Sequence, residues 1–320
     1  MATYIIRRVL WGIVLIVLVS ALTFLLFNLL PAGDPAVLRA GRNSTPQTIA
    51  YIRHELGLDK PIYTQFYVYM KNIVLHFNFG YSFYTGAPVL GQILNRLPAT
   101  LSLTVGAAII WLLMGIPVGI ASAIRRGSLL DRGSMSVALV FVSMPTFWLG
   151  LIVLFLFAND IGQFHVFPGA NSYVGLTTDP VQWFTSLLLP WFVLAATSAA
   201  IYSRVLRGSL IETMGEDYIR TARAKGLTER RVIWHHGVRS AITPILTIFG
   251  LDVGALLGGA VITETVFDIP GIGRLNYEAI NHSDFPIVQG TVILAALFIV
   301  IANILVDIAY AYLDPRVRYS

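Results

Sequence analysis

The chain has 320 residues, is 56% hydrophobic and only 12% charged, and carries a formal net charge of +5. An average soluble domain is roughly 25% charged, so most of this surface has to meet lipid, and a soluble globular fold is excluded. Cysteine is absent, which removes disulfides, thiol nucleophiles and thiolate metal sites. The basic residues follow the loops rather than one groove-reading face, which argues for membrane topology and against nucleic acid.

Six segments are long and apolar enough to cross a bilayer as helices: 9–30, 97–124, 133–159, 180–203, 240–263 and 285–312. About 20 apolar residues span a hydrocarbon core of ~30 Å. The expected layout is therefore an N-terminal transmembrane helix within 1–30, an outer loop at 31–96, a five-span domain at 97–312 and a short tail at 313–320. Arg7 and Arg8 precede the first span as they would a signal peptide. Its 22 uncharged residues exceed the roughly 7–15 of a signal h-region, and no small-x-small cleavage site follows.

The outer loop carries its own order. Thr45 is placed to cap a helix with Pro46 at its first position, and Gly57 to end it. From Pro61, the residues Ile62, Phe66, Tyr69, Ile73 and Phe77 recur at helical spacing, as in an amphipathic helix lying on the bilayer or on the bundle.

With both termini cytoplasmic, the inner segments hold fifteen of the 22 Lys and Arg residues, as the positive-inside rule requires. The loop 204–239 alone carries eight of them. Placing it at mid-bilayer would cost on the order of 20 kcal/mol, so it lies outside the lipid.

That loop has an internal design. Glu216 and Asp217 open a short helix, and Arg220, Arg223 and Lys225 stand toward its end, complementing the helix dipole; Glu216 and Arg220 form an i,i+4 pair. Gly226 supplies a left-handed turn. Thr228 then caps a second helix that runs through Glu229, Arg231 and Trp234 toward Arg239. Thr221, Ala222 and Ala224 are small and permit close approach of another surface.

The block Asp217-Tyr218-Ile219-Arg220-Thr221-Ala222-Arg223-Ala224-Lys225-Gly226-Leu227 resembles the EAA loop of the permease subunits of ABC importers, nearest the B-type subunit of the dipeptide/oligopeptide branch. Arg220 and Thr221 depart from the general pattern in the way that branch does. Further similar stretches follow in order: Tyr4-Ile5-Ile6-Arg7-Arg8, Leu56 to Ile62, Asn95 to Thr100, Leu257 to Phe267 with Pro270-Gly271-Ile272-Gly273-Arg274, and Leu313-Asp314-Pro315-Arg316. The resemblance implies an all-α, six-span, type-I importer permease in a prokaryotic cytoplasmic membrane, with Glu216 to Leu227 docking in a groove on an ATPase. It also implies a second homologous permease, two cytoplasmic ATP-binding subunits holding the ATP and Mg, an extracytoplasmic substrate-binding protein and a peptide cargo.

The residues agree with a chain that performs no covalent chemistry. Lys60, Lys71 and Lys225 are its only lysines, and none lies in a phosphate-cradling glycine loop. The adjacent His235 and His236 point about 100° apart on a helix and form no i,i+4 ligand pair.

In the fifth span, Gly250, Gly254 and Gly258 form a stripe that serves either close helix packing or a pore. Asp252 is the acid set deep in a span, and faces a path or a structural partner. Asp252, Gly254 and Gly258 are the candidate path residues, Asp307 a structural or interfacial acid, and Gly115-Ile116-Pro117-Val118-Gly119 a kink or a tight contact in the second span. Nickel, glutathione or another small solute remains an alternative cargo. An ion-coupled secondary transporter remains the alternative of a different class, for which Asp252 is the one supporting feature.

Overall fold

A computed structural model describes residues 2–29, 35–40, 44–55 and 57–313. Leu56 and the Asp314, Pro315 and Arg316 of the tail lie outside the described residues. Every named element is helical. α1 (Ala2–Leu29) is followed by the short helices α2 (Pro35–Ala40), α3 (Pro46–Glu55) and α4 (Ile62–His76). Then come α5 (Val89–Ile124), α6 (Leu129–Ser143), α7 (Thr146–Phe157) and α8 (Pro180–Met214). The basic loop holds α9 (Asp217–Ala224), α10 (Glu229–Arg231), a π-helical stretch (Val232–Val238) and α11 (Arg239–Ala241). α12 (Thr243–Leu257), α13 (Val261–Val266), α14 (Ile272–Asn281) and α15 (Phe285–Leu313) complete the chain. Among the described residues, α1, α5, α8 and α15 are each long and apolar enough to cross a membrane, and two bent helix pairs bring the number to six.

The two bent pairs correct the expected boundaries. The predicted span 133–159 is two helices, α6 and α7, meeting at 103°. Pro145 has no N–H and disfavours helical geometry at the residue before it, and Met144 is extended at φ −85°, ψ 124°. The predicted span 240–263 begins with a bend of 45° into α12. It ends at Leu257, because Gly259 at φ +123° turns the chain into α13. Where the sequence suggested one helix from Thr228 to Arg239, a π-helical stretch separates two single turns.

α5 and α8 form the centre. Leu103, Trp111, Leu187, Tyr202 and Leu206 are fully buried there. Their closeness depends on glycine: a Cβ on Gly115 would stand 2.9 Å from the Ala199 carbonyl, and one on Gly119 2.8 Å from that of Ser203. The Gly115–Gly119 segment is thus a tight contact, and α5 continues through Pro117 as one helix. α8 starts where Asp179 accepts hydrogen bonds from the N–H groups of Val181 and Gln182 with Pro180 in the first turn, a well-formed N-cap.

α12 lies on α15, and α1 covers α15 from the other side, joined by an Arg8–Asp307 ion pair of 3.0 Å. Asp307, expected to be a structural or interfacial acid, thus ties α15 to α1. The helices between α1 and α5 have their own local order. Thr45 Oγ1 accepts the N–H of Thr48, α3 begins at Pro46, and Gly57 stands at φ +66°. On α4, Phe66 and Tyr69 rest against the ring of Phe24 at 5.4 and 5.6 Å. Ile62 and Phe77, at the ends of that stripe, are exposed.

Candidate functional site

α8 runs three turns past its apolar stretch and ends in Gly215, after which Glu216 opens α9. Ile219 and Ala222 are buried on one face of α9 together with Val232, with Met214 and Leu227 packed around them. This small apolar seat fixes the helix to its own chain. Asp217, Tyr218, Arg220, Thr221, Arg223, Ala224 and Lys225 stay exposed, with Leu227 half-buried. Ala222 lies on the seat side of α9, where its small size lets the helix close against Val232. Arg220 reaches Asp217 at 3.4 Å, an i,i+3 contact one residue shorter than the expected i,i+4 pairing with Glu216.

Gly226 stands at φ +78°, the left-handed conformation expected of it. Across this turn Arg223 donates two parallel hydrogen bonds to Glu229, 3.0 Å from Nε and 2.7 Å from Nη2. The guanidinium holds the Glu229 carboxyl below its usual range. Thr228 occupies the N-cap position of α10 without a side-chain capping bond.

Deeper in the bundle, a Cβ on Gly254 would stand 3.1 Å from Ala302 Cβ, and one on Gly258 2.7 Å from Ala295 Cβ. Both glycines face α15. Within this chain the stripe serves helix–helix packing, one of the two readings given for it. Asp252, between Gly250 and Gly254, turns toward α8 instead, where the Tyr202 hydroxyl donates to its Oδ2 at 2.8 Å.

Two clusters escaped sequence reasoning. Glu264 is fully buried. It accepts hydrogen bonds from Thr100 Oγ1 at 2.9 Å and from the backbone N–H groups of Arg274 at 2.8 Å and Ala260 at 3.2 Å. Thr100 in turn accepts the N–H of Ile272 at 2.8 Å. An unpaired buried carboxylate costs several kcal/mol; these donors offset that cost and join α5, α13 and α14. A Cβ on Gly271 would fall 2.3 Å from the Glu264 carboxyl carbon, which explains the Pro270-Gly271-Ile272-Gly273 run. The signal was a glutamate inside an apolar stretch followed by closely spaced glycines.

The second cluster lies near the α9 end. Asp131 is buried and accepts from Arg207 Nε at 2.6 Å, Arg207 Nη2 at 2.8 Å and the Gly127 N–H at 2.8 Å. It joins α6 to α8. The hydrogen bonds from Arg207, then that from Gly127, lower its pKa to about 2. Among the described residues no group of three His, Asp or Glu could hold a metal ion.

Bent spans, a glycine-packed bundle and a small polar handle beyond the bundle define a membrane permease component. Residues 115–319 match the family described as binding-protein-dependent transport system inner membrane component, and residues 1–104 match the N-terminal domain of such components. The chain belongs to this family of ABC importer permeases.

Over its full length the chain is 43% identical to a candidate peptide transport system permease of Brucella abortus, which it covers completely. It is 38% identical to a dipeptide transport system permease protein of Alkalihalophilus pseudofirmus and 38% identical to a glutathione transport system permease protein of Salmonella choleraesuis, both chains fully covered. The solved MetNI methionine ABC transporter, in inward-facing conformations, has a chain that superposes with a TM-score of 0.52 at 16% identity. That match covers 70% of this chain and 97% of the other, and it establishes the shared fold.

Proposed function

We propose that this chain is the permease subunit through which separate ATPases drive import of dipeptides and oligopeptides across the cytoplasmic membrane. The observation that carries this reading is α9. It is fixed to its own chain by Ile219, Ala222 and Leu227, and it shows Asp217, Tyr218, Arg220, Thr221 and Ala224 outward. A sequence without a phosphate-cradling loop has no use of its own for such a helix.

In this reading the exposed face of α9, with Glu216, Arg223, Lys225, Gly226 and Leu227 forming its frame, sits in a groove on an ATP-binding subunit that holds the ATP and Mg. Both termini and the loop 204–239 are cytoplasmic, and the outer helices α2 to α4 face an extracytoplasmic binding protein. A second homologous permease completes the passage. ATP binding draws the two handles together and opens the spans outward; hydrolysis resets them inward. Relatives named for peptide and dipeptide transport favour peptide cargo over other solutes.

The test is uptake of labelled dialanine into vesicles carrying the assembled transporter, with the binding protein supplied outside. Uptake requires internal ATP and survives ionophores that collapse proton and sodium gradients. Uptake that stops with the ionophores while ATP remains would overturn the reading.

A further inference from the structure

We propose that Asp252 is the group in this chain that receives the positively charged amino terminus of the transported peptide. The inference rests on the peptide-import reading above and narrows it to a single contact.

Asp252 lies within α12, whose surrounding sequence is apolar. Its direction is fixed twice. On one side, Gly250 and Gly254 press α12 onto α15: their Cβ positions would fall 2.0 Å from Val306 Cγ2 and 3.1 Å from Ala302 Cβ. On the other, Tyr202 donates its hydroxyl hydrogen to Asp252 Oδ2 at 2.8 Å. Tyr202 is itself fully buried, with its ring 5.9 Å from that of the equally buried Trp111, so the phenol is held in place rather than recruited from solvent.

One neutral donor leaves Oδ1 and most of the charge uncompensated. Among the described residues no Lys, Arg or His forms an ion pair with Asp252, and its side chain is only partly buried. A carboxylate so placed is costly beside hydrocarbon and is explained by a water-filled route or a cation that visits it. A peptide's terminal ammonium supplies one positive charge and three N–H donors, and its carboxylate end is repelled. A divalent metal is a poor fit, because one carboxylate lacks the further ligands such an ion takes. Tyr202 is the positioning residue: it holds Oδ2 and leaves Oδ1 to the cargo.

The assembled transporter, with all its partner subunits in lipid nanodiscs, is treated with dicyclohexylcarbodiimide, and labelling of Asp252 is mapped by mass spectrometry. Millimolar dialanine protects Asp252 and N-acetyl-dialanine does not. Absent protection, or equal protection by both, overturns the proposal; a basic residue of a neighbouring subunit paired to Asp252 would give the first of these results.

In proteoliposomes, Asp252→Asn lowers dialanine uptake by about tenfold, Asp252→Glu restores part of it, and Tyr202→Phe is intermediate. ATP hydrolysis stimulated by loaded binding protein persists in all three. Full uptake by Asp252→Asn, or loss of hydrolysis together with uptake, overturns the proposal, the latter by making Asp252 a strut. Wild-type vesicles that import no peptide would bring down the peptide-import reading itself, whereas unaltered uptake by Asp252→Asn leaves that reading standing.

Discussion

Arg223 and Glu229 meet across the Gly226 turn through two parallel hydrogen bonds, so the end of α9 is stapled to the start of α10. Both side chains remain largely in water, 42% and 56% exposed. A double-mutant cycle with Arg223→Ala and Glu229→Ala is expected to give a coupling of about 0.2–1 kcal/mol in thermal unfolding, the range for exposed pairs. The pair orders the handle more than it stabilises the bundle. A coupling of several kcal/mol would contradict this.

Gly226 has open space around its missing Cβ but stands at φ +78°. Strain, not collision, is therefore the cost of a side chain there. Gly226→Val is expected to cost about 1–2 kcal/mol locally and to reduce ATP-driven uptake while membrane levels of the protein hold. Gly226→Asn, which tolerates this conformation, retains most uptake. Equal uptake by all three proteins would show that the turn does not serve coupling.

The absence of cysteine makes single-cysteine variants clean reporters. Cysteines at Tyr218 and Ala224, both exposed, are expected to crosslink to an ATP-binding subunit, and a cysteine at buried Ala222 to react poorly. Ala222→Leu overfills the seat against Ile219 and Val232 and is expected to cost about 1–3 kcal/mol, read as a lowered melting temperature. Crosslinking as strong from position 222 as from 224 would reverse the assigned face.

Hydrogen bonds from Arg207, then from the Gly127 N–H, hold the Asp131 carboxyl well below the usual carboxylate range, at about 2. A depressed carboxyl contributes stability above its unfolded pKa and loses it as pH falls through the folded value. The contact between α6 and α8 is therefore expected to persist at pH 5 and to weaken as pH falls from about 4 toward 2. Thermal melts of wild type and Asp131→Asn should differ near neutrality and converge in acid. A difference that does not shrink in acid would place the effect elsewhere.

Thr100 both donates to Glu264 and accepts from Ile272. Thr100→Val keeps the shape and leaves a carboxylate oxygen and a backbone N–H without that partner, an expected loss of about 1–3 kcal/mol for each group left unsatisfied. Gly271→Ala is expected to be worse, since its Cβ would overlap the Glu264 carboxyl group. Melting in detergent, with intact Glu264→Gln as a milder comparison, checks the order.

Local chemistry was legible in the sequence. Gly226, the Thr45–Pro46 start of α3, and the limits of α15 depend on neighbours a few residues away, and spacing reveals them. The elbow at Pro145 was hidden because both arms are apolar, and hydropathy measures length without direction. Glu264 carries no local mark of its role, since its partner Thr100 lies 164 residues earlier. The glycine stripe at 250, 254 and 258 was visible, yet only the position of α15 decides what it faces. Tyr202 carries no mark in the sequence that ties it to Asp252, 50 residues on.

α8 is unbroken from Pro180 to Met214, a rod about 50 Å long that outreaches the ~30 Å hydrocarbon layer. Its buried middle is held by α5. In the importer reading that middle is the expected fulcrum: a push of a few ångströms where the rod ends beside α9 would swing Trp183 and Phe184 the opposite way. Mechanical work would then cross the whole membrane along a single continuous backbone, with no relay of side chains between its two ends.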